Sequence, residues 1–266
     1  MSDRTDEIVK AFAAQDSCQC ESGMAKIAGL SNLTTDEKIK IASALGAMFY
    51  RDERGNTALT KLIKEAESMI ASFGPDVIDW IIGQFDEADA ESAEHLAKSL
   101  GLIGTEAVDK TRTAFTSYKN NPYILINLLS AVGHFNDPSS VKLLPEVLEH
   151  AKTDEVQVKS AAFYCLGRLC NRLPAGTLAD DEKTAMFDSL FSGLSHPKAL
   201  VRRHAVRALG KMAVNSYLTA EQSAKVNKAF RAILGMDDYE WDDAYIVRTE
   251  AEYYLSHSLH SENTGG

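Results

Sequence analysis

The chain has 266 residues, and its 45% hydrophobic content supplies a continuous core and excludes extensive disorder except at the ends. Its 38 acidic and 28 basic side chains give a formal net charge of -10, which repels nucleic acid in bulk and disfavours general DNA or RNA binding. No stretch reaches the roughly 18 apolar residues of a membrane span, and the polar opening lacks the apolar core of a signal peptide, so we expect a cytoplasmic protein.

A signature of a small residue, Leu or Val, and Gly recurs along the chain and predicts a repeat protein. Six copies follow one another at intervals of 32 to 55 residues, the length of a helix pair with its loops. The first interval is the longest and predicts an additional helix. The copies end at Gly46, Gly101, Gly133, Gly167, Gly210 and, with serine in place of glycine, Ser256.

Each signature is predicted to lie on a helix, which we term a register helix. Residues four and eight positions after its start are mostly apolar, and this spacing places them on one face. Glycine inside a helix costs roughly 1 kcal/mol relative to alanine. We therefore interpret the glycines as points of close packing between helices, with C-capping as the alternative. The register helices start at Glu37, Ser92, Ile124, Val158, Val201 and Val247.

An amphipathic segment precedes each register helix after the first and predicts its partner in a helix pair. Pro75 and Pro138 suit first-turn positions and Thr219 suits an N-cap. The predicted partner helices span residues 75–87, 105–118, 138–151, 180–194 and 219–234.

Three regions follow from this periodicity. Residues 1–33 fit no repeat and are predicted to form an N-terminal helical cap or extension. Residues 34–260 are predicted to form the repeat solenoid. Residues 261–266 are polar and end in two glycines, so we expect a disordered tail.

The four cysteines occur as two close pairs. Cys165 and Cys170 lie in an apolar segment, which predicts core packing. Cys18 and Cys20 have a spacing that suits a soft metal or thiol exchange. Because no CxxC or His-rich segment completes a ligand set, we expect an ordinary loop there, and we predict neither a metal nor another cofactor.

Residues 195–213, which include Val201-Arg202 and Leu209-Gly210, resemble the HEAT-like repeat, particularly the type found in phycobilisome lyases. The resemblance covers roughly the last half of the chain and fades toward the N-terminus, where Glu37-Lys38 replaces the apolar-Arg pair. It implies an all-α fold, a right-handed α/α superhelix of about five to six helix pairs like other HEAT and armadillo solenoids. In such a fold the second helices line a concave surface, and most members bind proteins.

Positions two, three, six and ten after each register start point away from the buried face, toward the expected concave surface. Basic and aromatic residues dominate these positions, with Glu94 and Glu250 as exceptions. We expect this stripe to bind an acidic protein surface or an anionic ligand, whereas simple solvation of a helix face is the alternative. The candidate partner-binding residues are Lys98, His134, Tyr164, Arg168, Arg203, Arg207, Lys211, Tyr253 and His257.

Outside the stripe, three features have mainly structural interpretations. Arg202 and Arg248 are expected to pair with acidic residues of an adjoining repeat. The acidic run 237–243 is expected to form a solvated loop with Trp241 packed beneath it, and Trp80 is expected in the core.

No Gly-rich phosphate loop, HExxH pair or GxSxG elbow occurs, so no catalytic residue is predicted. The expected function is a non-enzymatic scaffold or adaptor that binds an acidic protein partner. The family resemblance leaves two alternatives. One is a bilin lyase-like or chaperone-like protein, whose Arg and Lys would pair with the propionates of an open-chain tetrapyrrole. The other is a regulatory subunit of a larger enzyme.

Overall fold

The computed structural model describes residues 3–13 and 16–262, and within these ranges it contains α-helices and short 3-10 helices but no strand. The chain divides into a first unit, Met1–His134, and a second unit, Phe135–Gly266. The helices of the first unit are α1 (Asp3–Ala13), α2 (Ser17–Ala28), α3 (Thr35–Gly46), α4 (Thr57–Ser72), α5 (Ile78–Gln84), α6 (Ala90–Ile103), α7 (Thr105–Ser117) and α8 (Pro122–Val132). Those of the second unit are α9 (Leu144–Ala151), α10 (Val156–Arg172), α11 (Asp180–Ser192), α12 (Ala199–Val214), α13 (Ala220–Ile233) and α14 (Tyr245–Glu262).

The helices of each unit pack in two rows, as expected for stacked helix pairs. In the first unit, row A contains α1, α3, α5 and α7, and row B contains α2, α4, α6 and α8. In the second unit, row B contains α10, α12 and α14, while α9 and α11 pack together in row A and α13 packs on α12 and α14. The predicted all-α repeat fold is therefore confirmed. Among the described residues, no helix combines the length and apolar character needed to cross a bilayer.

The predicted partner helices are present, but two of them begin as 3-10 helices. Residues Gly74–Val77 and Pro138–Leu143 are 3-10 turns that lead into α5 and α9. Pro145 lies in the first turn of α9 and has no N–H, so it cannot donate to the carbonyl of Val141. This missing bond explains why the α-helix begins only at Leu144.

The first register helix was assigned to the wrong row. Helix α3, which carries Ser43 to Gly46, packs against α1 and the turn Gly74–Val77 and therefore belongs to row A. The row B helix of this repeat is α4, the additional helix of the long first interval, and it carries no Gly signature. The sequence signature thus marks row B only from α6 onward.

The packing interpretation of the glycines is confirmed at three positions. A Cβ on Gly101 would lie 2.6 Å from the Cβ of His134, and one on Gly167 would lie 3.0 Å from the Cα of Ala208. A Cβ on Gly210 would lie 2.1 Å from the Cγ of Tyr254. Gly133 instead fits the C-capping interpretation, because it is the C-cap residue of α8.

The N-terminal segment forms a helix pair, α1 and α2, which packs on α3 and α4. Cys18 and Cys20 lie in α2 rather than in a loop, because the Asp16 carboxylate caps that helix by accepting from the Cys18 N–H at 3.0 Å. Cys18 is exposed and Cys20 is buried. Helix α14 includes residues 261 and 262 of the predicted tail, and residues 263–266 lie outside the described residues.

The Cys165 and Cys170 thiols are both buried in α10, which confirms their predicted core packing. Burial raises the pKa of both thiols, that of Cys170 to about 12. Neither thiol is therefore poised to act as a thiolate nucleophile at neutral pH.

Replacing Gly210 with alanine should reduce the free energy of unfolding by about 1 to 3 kcal/mol, because the new methyl group must displace the Tyr254 ring. Urea denaturation followed by circular dichroism measures this loss. Gly176→Ala is the matched control in the same unit, since a Cβ there meets nothing within 4 Å. Equal midpoints for the two variants would contradict the close-packing interpretation.

Candidate partner-binding face

Seven of the nine predicted binding residues lie on the three row B helices of the second unit. Arg203, Arg207 and Lys211 are spaced four residues apart on α12, so they lie along one side of this helix. The other side of α12 is buried and includes Ala205 and Leu209. We term the set the cationic face; its members are Tyr164 and Arg168 on α10, Arg203, Arg207 and Lys211 on α12, and Tyr253 and His257 on α14.

Glu250, on α14, joins two arginines of the face. Arg203 Nε donates to Glu250 Oε1 at 3.1 Å, Arg207 Nε donates to Glu250 Oε2 at 3.1 Å, and Arg207 Nη2 also donates to Oε1. Burial opposes ionisation of this carboxyl, but the hydrogen bonds and charges of Arg207 and Arg203 are decisive, so its pKa lies below the ordinary value. The carboxylate thus remains ionised at neutral pH and fixes both guanidinium groups.

The Tyr164 ring, on α10, lies beside two further cations. Arg168 Cζ is 5.3 Å and Lys211 Nζ is 5.9 Å from the ring centroid, both within cation–π distance. The ring also contacts His204, with centroids 5.4 Å apart. Burial lowers the pKa of His204, which keeps this imidazole neutral and adds no charge to the face at pH 7.

Lys211 differs from the arginines in its surroundings. Among the described residues, no carboxylate oxygen lies within ion-pairing distance of its Nζ. Burial, followed by the nearby charges of Arg207 and Arg168, lowers the pKa of this ammonium group. An anion bound beside Lys211 would therefore relieve an electrostatic cost already present in the protein.

Tyr253 and His257 extend the face along α14. Their rings are 4.1 Å apart at the centroids, and Tyr253 also meets Tyr254 edge-on at 4.9 Å. Tyr253 is 53% exposed. These two side chains border a cavity of about 500 Å³ whose other lining includes Lys211, Asn171 and Asn227.

The two predicted residues of the first unit have different surroundings. Lys98 Nζ lies 3.6 Å from Glu67 Oε1, and His134 Nε2 lies 2.8 Å from Glu94 Oε1. The His134 side chain is only 6% exposed, so the expectation that it lies on an open surface is wrong. We therefore restrict the candidate site to the second unit.

Glu67 is a buried carboxylate that the sequence analysis does not include among the residues of the stripe. It lies on α4, where it is 6% exposed, and it contacts both Lys98 and His95, the latter at 2.6 Å from Nδ1. Helix α4 carries no Gly signature, so its row and the direction of Glu67 were not predictable from the repeat pattern. The one available signal is a carboxylate on α4, the helix that precedes α6 in row B.

The structural interpretations outside the face are confirmed in part. Arg202 donates to both carboxylate oxygens of Asp242, at 2.6 and 2.8 Å, which is the expected pairing with an adjoining repeat. Trp241 is 67% exposed and stacks with Arg248 at 4.7 Å, so its predicted burial is wrong. Trp80 is half-buried, and its ring covers Gly46.

Replacing Glu250 with glutamine should lower the free energy of unfolding at pH 7 by about 1 to 3 kcal/mol, since two arginines lose their charged acceptor. In the wild type, the lowered pKa of Glu250 means that its contribution is complete above the ordinary value of 4.5 and is lost as pH falls through the folded-state pKa. The variant should therefore lose less stability between pH 5 and pH 3. Urea midpoints at several pH values test this.

The matched control is Glu252→Gln, which removes an exposed carboxylate from the same helix. Similar pH profiles for the Glu250 and Glu252 variants would show that the contact with Arg203 and Arg207 contributes nothing to stability.

Comparison with known proteins supports the repeat fold. No protein-family model matches the chain, and no curated protein matches it in sequence. The solved structure of an archaeal HEAT-like repeats protein from Thermococcus onnurineus NA1 is similar with a TM-score of 0.54 and 16% identity, over 98% of each chain. The complex of CpcE and CpcF of phycocyanin lyase from Nostoc sp. PCC7120 is similar with a TM-score of 0.51 and 19% identity, over 67% of this chain and 98% of that one. The chain thus has the fold of HEAT-like repeat proteins.

Proposed function

We propose that the chain is a non-enzymatic scaffold whose cationic face binds an acidic surface of a protein partner. The observation that carries this proposal is a local excess of basic side chains: Arg168, Arg203, Arg207 and Lys211 lie on one face, where Glu250 pairs with Arg203 and Arg207. The whole chain has a net charge of -10, so this excess opposes the average of the molecule. Such a patch favours one orientation of an acidic partner.

The face is also pre-organised for binding. Glu250 holds two guanidinium groups, and Tyr164 contacts Arg168 and Lys211. Side chains that are already ordered lose less conformational entropy when a partner binds. Arginine and tyrosine are frequent interface anchors for this reason and because they combine contact area with hydrogen bonding.

An acidic chain can bind an acidic partner because electrostatic forces have a short range in salt. At physiological ionic strength the Debye length is about 8 Å, so charges far from the contact are largely screened. The partner therefore interacts mainly with the charged side chains of the face. The repeat fold is compatible with this role, and the similar CpcE and CpcF structure is itself a complex of two proteins.

Reversing two charges of the face, with Arg168→Glu and Lys211→Glu, should abolish partner capture with little loss of helical content. Neither Arg168 nor Lys211 takes part in the hydrogen bonds that Arg203 and Arg207 donate to Glu250. Tagged wild-type and variant chains are compared by affinity capture from extract of the native host and quantitative mass spectrometry. Proteins lost with the variant should have acidic surfaces, and their capture should weaken as salt rises.

The matched control is Lys228→Glu together with Lys159→Glu, which reverses the same number of charges elsewhere in the second unit. Capture that responds equally to both double variants, or to neither, would contradict the cationic face as the binding surface.

Binding of an open-chain tetrapyrrole is a second candidate function. It is supported by the position of Arg168 and Lys211 beside the Tyr164 ring, because two cations next to an aromatic ring suit a planar ligand with two propionates. Titration of the purified chain with biliverdin should then shift its visible absorption band. The shift should disappear in the Arg168→Glu, Lys211→Glu variant, and an unchanged spectrum with the wild type rejects this candidate.

A further inference from the structure

We propose that the cavity beside the cationic face binds the C-terminal end of a polypeptide, with the terminal carboxylate paired to Lys211. This inference rests on the proposed function and specifies which part of the partner is recognised. The cavity lies where the last turns of α12 meet α13 and α14, with a contribution from α10. Its lining comprises Asn171, Lys211, Ala213, Val214, Asn215, Ser216, Ser223, Asn227, Tyr253, Tyr254 and His257.

The size of the cavity favours a short segment over a folded surface. Its volume of about 500 Å³ lies within the usual range of roughly 300 to 1,000 Å³ for small-ligand sites. A helix or a domain surface is too wide for such a space, whereas the last few residues of a chain enter from one side. The cationic face borders the cavity through Lys211, Tyr253 and His257, so a partner held on the face has its chain end within reach.

The charge of the lining favours an anion. Lys211 is the one ionised amine or guanidinium among the lining residues, and none of these residues carries a carboxylate. Its Nζ has no carboxylate partner within the described part of the chain. A half-buried cation without a counter-ion is costly, and a bound carboxylate supplies the missing charge.

The remaining lining favours a peptide over a simple inorganic anion. Side-chain amides match the N–H and C=O groups of a peptide backbone, because each amide both donates and accepts. The Asn215 amide is already oriented, since it donates to Asn171 Oδ1 at 3.1 Å and to the Lys211 carbonyl at 2.9 Å. Asn227 and the hydroxyl groups of Ser216 and Ser223 supply further polar contacts.

One wall of the cavity suits an apolar last side chain. Val214, three residues after Lys211 on α12, is 57% exposed, and the exposed Tyr253 belongs to the same lining. Tyr254 is buried against Gly210, so this part of the wall is rigid. The arrangement places a carboxylate subsite and an apolar subsite within one cavity.

The test uses an array of 400 hexapeptides in which the last two residues take every combination, each made as the free acid and as the C-terminal amide. Binding to the full chain is measured by fluorescence anisotropy. A subset should bind as free acids and lose roughly 10- to 100-fold in affinity as amides, the effect of one charge-assisted hydrogen bond. Equal binding of acids and amides, or no free-acid binder in the array, overturns the proposal.

Three variants assign the effect to the cavity. Lys211→Gln should reproduce the loss seen with the amides, and Asn227→Asp should weaken binding because it introduces a negative charge into the lining. Lys228→Gln, which removes an exposed lysine from α13, should bind like the wild type. Circular dichroism confirms that each variant is folded, and a Lys211→Gln variant that keeps the acid preference also overturns the proposal.

The outcome is separable from that of the proposed function. If partner capture depends on the cationic face but the peptides bind equally as acids and amides, only the proposal that the cavity binds a chain end is rejected. If free-acid peptides bind but partner capture is unchanged in the Arg168→Glu, Lys211→Glu variant, the acidic-surface proposal is rejected and the cavity remains as an independent peptide site.

Discussion

The close approach of neighbouring row B helices is the constraint on which the second unit depends. A helix pair cannot cover its own apolar side, so each pair must stack on the next. Gly167 allows Ala208 to approach, and Gly210 accommodates the Tyr254 ring. Arg168 and Lys211 directly follow these glycines in the sequence. The contact that buries the core therefore also sets the positions of two cations of the face.

Charge on the face is held in two different ways. Arg203 and Arg207 share the Glu250 carboxylate, which offsets part of their mutual repulsion and orders both side chains. Within residues 3–13 and 16–262, Lys211 contacts the Tyr164 ring but no carboxylate, and an aromatic ring is a weaker partner for a cation than a carboxylate. The two arginines thus join α12 to α14 through Glu250, and the proposed function gives them a second role in binding a partner. The Lys211 ammonium group, which has no carboxylate at ion-pairing distance in the described part of the chain, could pair with an external anion.

The predictable part of the structure is the part that repeats. Three of the glycine signatures mark close helix contacts, at Gly101, Gly167 and Gly210. The four-residue spacing predicts that Arg203, Arg207 and Lys211 lie on one side of α12. Glu67 was not predictable, since it lies on a row B helix without a signature. The exposure of Trp241 was also missed, because its contact with Arg248 depends on a loop conformation that no periodic pattern encodes.

Equivalent positions in the two units show why the fold alone does not determine a binding site. Lys98 and His134 occupy the same repeat positions as Arg207 and Lys211. Lys98 and Arg207 each contact a carboxylate, Glu67 and Glu250, and His134 contacts Glu94. The backbone arrangement is shared, but the net charge at the surface differs. In the second unit Glu250 pairs with two arginines, and no carboxylate of the described residues lies within ion-pairing distance of Lys211. Under the proposed function, recognition would depend on where carboxylates lie relative to the cations as much as on where the cations lie.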